Sequence, residues 1–224
     1  MDRYEFVSDI ARKSFEYEVE RESEGFDIKD IERMLNPDHM LERIYIGLQR
    51  KSSQNLLKRK TIFSGIEKYI YYRVGRSENS CVIMKLKHDM MNALRIDERL
   101  AWAMATENTT RETVIENVAD LIKGMCGVAP EVQLDGPQVY CVTNRDKNRG
   151  AAGVLETHRM KRFARDQGVE KLIVLPSSIH EMLVIPDFEG ADMEKLDRIV
   201  REVNAREVPV EEQLADRAYT LDFS

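Results

Sequence analysis

Ser177, Ser178, His180 and Glu181 fall within one five-residue segment, so a hydroxyl nucleophile, a base and an acid lie side by side. Serine hydrolysis needs the hydroxyl bonded to the imidazole and the imidazole bonded to a carboxylate. Neighbours on one tight turn point their side chains in different directions, and no glycines of a nucleophile elbow flank these serines. The competing reading is architectural: serine hydroxyls stabilise turns by bonding nearby backbone amides, and a histidine there caps a strand end or pairs with a carboxylate.

A second constellation is Thr143-Asn144 followed by Gly150-Ala151-Ala152. A strand, a loop and a helix start with small residues can hold an anion on free helix amides, and Arg145, Lys147 and Arg149 add positive charge. Neither Gly-x-Gly-x-x-Gly nor Gly-Lys-Ser/Thr is present. Close packing of the helix on a sheet explains the small residues more simply.

His39, His88, His158 and His180 are far apart, with no helical i, i+4 pair. His158 shares a helical face with Ala151, Val154 and Leu155 and reads as a partly buried histidine. Cys141 is the residue that could converge on His180. No metal or other cofactor is expected. Arg50, Lys51, Lys58, Arg59 and Lys60 flank Ser52-Ser53-Gln54-Asn55 and could touch phosphate. They lack interleaved aromatics and any nucleic-acid motif, so a solvated surface is the simpler account. The acidic run Glu16–Glu24 reads the same way.

These residues need elements to position them. Helical spacing of Phe6, Val7, Ile10, Ala11 and Phe15 predicts a helix over 2–22. A second helix is expected over 39–50, started by Asn36-Pro37-Asp38. Lys68–Val74 and Cys81–Lys87 predict a β-hairpin, and 97–106 a helix. Thr109-x-x-Glu112 fits a capping box for a further helix carrying Val114, Val118, Leu121 and Ile122. Gln138–Thr143 reads as a strand and Ala151–Gln167 as a helix. Lys171–Leu175 and Met182–Ile185 read as strands buried on both faces, joined by 176–181 into a central hairpin. Asp192–Val203 is an amphipathic helix, followed by a short helix over 210–216 and an edge strand over Tyr219–Phe223. Strands cluster in hairpins without regular βαβ alternation. The expected fold is therefore α+β, with a mixed or antiparallel sheet built from hairpins at about 67–87, 138–143 and 171–185 and covered by helices.

The chain has 224 residues, 42% of them hydrophobic and 33% charged, which is a globular balance. Its net charge of −6 repels nucleic acid and anionic lipid on average. No apolar run approaches the length of a membrane span. The first twenty residues carry scattered acids and no apolar signal core, so a cytoplasmic protein is expected. Three cysteines, Cys81, Cys126 and Cys141, argue against a disulfide framework.

Met40-Leu-Glu-Arg-Ile-Tyr-Ile-Gly-Leu, Val82-Ile-Met-Lys-Leu-Lys-His-Asp, Val139-Tyr-Cys-Val-Thr-Asn, Gly150-Ala-Ala, Leu175-Pro-Ser-Ser-Ile-His-Glu, Arg201-Glu-Val-Asn and Val210-Glu-Glu-Gln-Leu-Ala-Asp occur in this order. In that order and spacing the chain resembles the bacterial family known as domain of unknown function 5688, over about residues 26–222. The resemblance implies a bacterial, cytoplasmic origin and an α+β fold, and implies nothing about chemistry. The expected organisation is one domain over 1–224, with a helical extension at 1–25 before a family-like core at 26–222. The leading functional expectation is a non-catalytic interaction or regulatory protein, with a protein as its partner. The alternatives are a small hydrolase centred on Ser177, Ser178, His180 and Glu181, with Asn144 nearby, and a nucleic-acid binder acting through residues 50–60.

Overall fold

The computed structural model describes residues 17–19, 33, 36–76, 81–126, 137–188 and 190–224. The helix expected over 2–22, and with it the 1–25 extension, lies outside them except for Tyr17–Val19, which form strand β1. The fold is α+β, with two antiparallel sheets. By backbone proximity the chain groups into two compact units: Met1–Gly47, Ser52–Lys60 and Glu67–Arg111 in the first, and Leu48–Lys51, Thr61–Ile66 and Glu112–Ser224 in the second.

The first sheet runs β1, β5 (Cys81–Lys85), β4 (Ile66–Arg76), β2 (Ile44–Arg50), with the short β3 (Lys58–Lys60) also paired to β4. The β4–β5 pair is the expected hairpin, with a register shift between Arg73 and Gly75. Helix α1 (Pro37–Glu42) is capped by Asn36, whose side chain accepts from the amides of Asp38 and His39. Helices α2 (His88–Leu94) and α3 (Glu98–Glu112) complete the first unit's regular structure among the described residues.

Two expectations are corrected here. Residues 39–50 do not form one helix: α1 ends at Glu42 and Ile44–Arg50 is strand. Ile44, Ile46 and Leu48 also alternate with period two, and all three are buried. Gly47 disfavours a helix, and it makes room for an aromatic ring: a Cβ there would lie 2.5 Å from Cζ of Tyr69. Thr109 and Glu112 do not open a helix but close α3. The hydroxyls of Thr109 and Thr110 donate to the carbonyls of Ala105 and Thr106 one turn back. The branched run Thr113-Val114-Ile115 then forms strand β6 (Thr113–Asn117), before helix α4 (Val118–Cys126).

The second unit is built on the sheet β10 (Tyr219–Asp222), β8 (Lys171–Pro176), β9 (Met182–Pro186), β7 (Tyr140–Asn144), β6, every neighbouring pair antiparallel. β8 and β9 form the central hairpin expected from their apolar runs. Ile173, Leu175 and Ile185 face Val200 of α6 (Met193–Glu207) and Ala218 in one apolar cluster. The alternate residues Leu172, Val174, Met182 and Val184 are fully buried on the opposite face. On that face Phe163 of α5 (Thr157–Asp166) meets Tyr140 edge-on at 4.8 Å. The helix expected over 151–167 is divided: Gly150–Leu155 is a 3-10 helix and α5 follows it. The expected helix over 210–216 is a 3-10 turn at Val210–Glu212.

Candidate functional site

The loop from β8 to β9 closes on itself, with the Ser178 amide donating to the Glu181 carbonyl at 3.1 Å and the Glu181 amide to the Ser178 carbonyl at 3.3 Å. The Ser178 hydroxyl oxygen accepts from the amide of His180 at 3.1 Å, which is the turn-stabilising bond that serine supplies.

This turn is then tied to two other segments. The His180 carbonyl accepts from the Gly150 amide and from the Thr143 hydroxyl, both at 2.9 Å. The Ile179 amide donates to the carbonyl of Glu212 at 2.9 Å. Nδ1 of His180 accepts from the Arg149 amide at 3.2 Å. An Nδ1 that accepts carries no proton, so the ring proton sits on Nε2, which lies 3.5 Å from Oε1 of Glu212.

The triad is therefore not assembled. Ser177 donates to Oε1 of Glu181 at 3.0 Å rather than to His180, and His180 is turned toward Arg149 and Glu212. The second oxygen of Glu181 accepts from the Cys141 thiol at 3.6 Å. Burial, reinforced by the negative charge of Glu181 and its hydrogen bond, pushes the Cys141 thiol up to about 12. A thiol held protonated in this way is not a nucleophile. Glu116 sits opposite Cys141 in the β6–β7 register. Its Oε2 is buried without a hydrogen bond and pairs with Lys147 Nζ at 3.6 Å.

Asn144 closes the loop after β7. Its Nδ2 donates to the Asn148 carbonyl at 2.6 Å, and its Oδ1 accepts from the Asn148 amide at 3.0 Å. The Gly150-Ala151 amides, which an anion would have needed free, already donate to the carbonyls of His180 and Ile179. Gly150 is required by close approach: a Cβ would lie 2.2 Å from the Asn144 amide nitrogen and 2.6 Å from the Thr143 carbonyl carbon. The two sequence constellations are thus adjacent in space, joined by backbone bonds.

Among the other candidates, His158 is exposed on α5 rather than partly buried, and His88 pairs with Glu98 at 2.6 Å. Among the described residues no three His, Cys, Asp or Glu side chains converge as a metal site would require. The basic 50–60 segment is largely engaged: Arg50 pairs with Asp216 at 2.7 Å, Lys58 with Glu67 at 3.0 Å, and Arg59 lies 4.4 Å over the Trp102 ring. Sequence reasoning missed Glu212 and the Arg149 amide, because residues thirty positions away in the chain carry no local signal for this contact. The Cys141 contact was partly foreseeable from strand alternation with Thr143, although its partner is Glu181 and not His180.

Among the described residues no helix is long and apolar enough to cross a membrane. Nothing among curated proteins or solved structures matches the chain. The family comparison is positive and reaches further toward the N-terminus than the motifs alone indicated: residues 3–222 match the family of unknown function DUF5688, and the chain belongs to that family.

Proposed function

We propose that this chain is a non-catalytic interaction or regulatory protein of the bacterial cytoplasm. The carrying observation is how the Ser-Ser-Ile-His-Glu turn uses its polar groups. Ser177, Ser178, His180 and Glu181 bond one another, the loop after β7 and the 210–212 turn. Hydrolysis needs a serine that donates to the histidine, and here Ser177 donates to the carboxylate instead. A cytoplasmic setting suits Cys141, a buried free thiol held protonated.

Thermal melting of Ser178→Ala, His180→Ala and Glu181→Ala tests this reading. Each variant leaves an amide or hydroxyl of this part-buried network without its partner, at a cost of about 1–3 kcal/mol. In a domain of this size that lowers the midpoint by roughly 2–4 °C per kcal/mol. Midpoints at or above wild type would mean that the turn is kept at a cost to stability, as functional sites are, and the hydrolase reading would replace this one.

A further inference from the structure

The second unit contains a groove of about 630 Å³ lined by Arg50, Lys51, Arg201, Asp216, Arg217 and Tyr219, among others. That volume lies in the range of small-molecule sites, about 300–1,000 Å³. We propose that this groove binds a small phosphate ester, with Lys51, Arg201 and Arg217 as its cationic contacts. The proposal does not depend on the reading of the Ser-Ser-Ile-His-Glu turn.

The floor of the groove is built before any ligand arrives. Nε2 of Gln213 donates to the carbonyls of Asn204 and Val208 at 3.0 and 2.9 Å, which aims its Oε1 at Arg50. Arg50 donates from Nη2 to that oxygen at 3.1 Å and to Oδ1 of Asp216 at 2.7 Å, and from Nε to the Gln213 carbonyl at 3.3 Å. The buried Asn204 also donates to Oδ1 of Asp216, at 2.9 Å. The hydrogen bond from Arg50 comes first among the causes that hold the Asp216 carboxyl below the usual range.

Both acids of the groove are thereby occupied. Asp216 is held by Arg50 and Asn204, and Asp197 accepts from the Ala218 amide at 2.7 Å. The cations lining the groove outnumber these acids, although the Arg201 charge also acts on the Asp216 carboxylate. Arg201 donates to the Asp216 carbonyl at 3.3 Å, and Arg217 lies 5.7 Å over the Tyr219 ring. Lys51 is exposed at the rim. Two guanidinium forks and an ammonium around one groove form a local positive field in a chain of net charge −6. Guanidinium forks match phosphate oxygens bidentately, and lysine adds a point charge. Three such groups suit a dianion better than a monoanion. The part-exposed Tyr219 ring supplies apolar surface for the body of an ester.

The test is isothermal titration of the full chain with glycerol 3-phosphate, inorganic phosphate, succinate and sodium chloride at matched ionic strength, together with the Lys51→Ala/Arg201→Ala double variant. The expected result is saturable binding of glycerol 3-phosphate, tighter than succinate, weakening as salt rises and at least tenfold weaker in the double variant. Inorganic phosphate binding in the same groove but more weakly than the ester supports the apolar contribution. The proposal is overturned if wild type shows no saturable heat with either phosphate, if succinate binds as tightly as the ester, or if the double variant, melting like wild type, binds unchanged. The wild-type comparison decides the matter even if the variant fails to fold.

Discussion

Glu181 divides its two carboxylate oxygens between a hydroxyl and a thiol, and that arrangement has a measurable consequence for Cys141. The thiol is raised above its ordinary value of 9.0 to about 12, by burial first and by Glu181 next. A group whose folded value is raised contributes stability below the unfolded value, and that stability is lost as pH climbs through the folded value. Here the window runs from about pH 9 to about 12. Glu181→Gln removes the negative charge and leaves the burial, so the Cys141 thiol should titrate lower while staying above an exposed thiol. Alkylation of the Cys141 peptide by iodoacetamide at about pH 9, followed by mass spectrometry, should run several-fold faster in the variant; an unchanged rate would remove Glu181 as a cause. Gly150 allows a second check. Its missing Cβ would meet backbone atoms of Thr143 and Asn144, which cannot rotate away. Gly150→Ala should therefore cost at least about 2 kcal/mol, lowering the melting midpoint by roughly 4–8 °C. At Gly153 the clash is with side-chain atoms of Thr113, so Gly153→Ala should cost less. Close packing of the small residues at 150–152 was the simpler of two readings of the sequence, the other being an anion site. The sequence could not show that His180 would turn to Arg149, since the carbonyls and amides involved look the same in every residue type.

At the scale of elements, local pattern succeeded where a segment's partners lie close in the chain and failed where they lie far. The β4–β5 and β8–β9 hairpins were legible because their runs are apolar or branched and their turns short. The stretch 39–50 was misread because Met40, Leu41, Ile44 and Leu48 satisfy a helical spacing while Ile44, Ile46 and Leu48 satisfy a strand spacing equally well. The decision is made by α3. The buried Asn108 side chain donates at 2.9 Å to the carbonyls of both Leu41 and Ile44, the acceptors that a continuing helix would have used. Ile46 donates its amide to the Thr109 hydroxyl at 2.9 Å. Asn108→Ala should therefore destabilise the first unit by about 2 kcal/mol, as two carbonyls lose their donor, and urea denaturation would show this as a lower midpoint with an unchanged slope. A neutral result would mean that the α1–β2 break is set by β-sheet pairing alone. The α6 start gives a smaller expected effect: Asp192 accepts from the Lys195 amide at 3.1 Å as an N-cap, so Asp192→Ala should cost about 1 kcal/mol. The amphipathic stripe placed this helix in the sequence, and the cap bond that starts it spans only three residues.

At the scale of the whole molecule, four shifted groups of the second unit tie stability to pH at both ends of the range. Cys141, Asp216, Tyr219 and Asp222 are clearly shifted, and these four lie within the Glu112–Ser224 segment of the second unit. Burial raises the Tyr219 hydroxyl, so it joins Cys141 on the alkaline side. The two carboxylates act on the acid side. Asp216 is lowered mainly by the hydrogen bond from Arg50. Asp222 is lowered to about 2, first by hydrogen bonds from the Ser224 hydroxyl and amide and then by Lys171. A lowered carboxylate stabilises the fold above its unfolded value, and that contribution is lost as pH falls through the folded value. The acid window therefore opens at about 3.8 and runs toward about 2. Both carboxylates are largely exposed, so the effect is modest and salt-sensitive. It is nonetheless directional, and both carboxylates lie in the second unit. Hydrogen exchange across that window should show β10 and the C-terminal half of α6 losing protection as pH falls. Urea midpoints should fall more steeply with acid in wild type than in Asp216→Asn, which has no carboxylate to protonate. Raising the salt concentration should bring the two curves together, because the Arg50–Asp216 pair is screened. Parallel curves at low salt would mean that the pair contributes nothing to acid stability, and the rigidity of the groove floor would then rest on Gln213 and Asn204 alone.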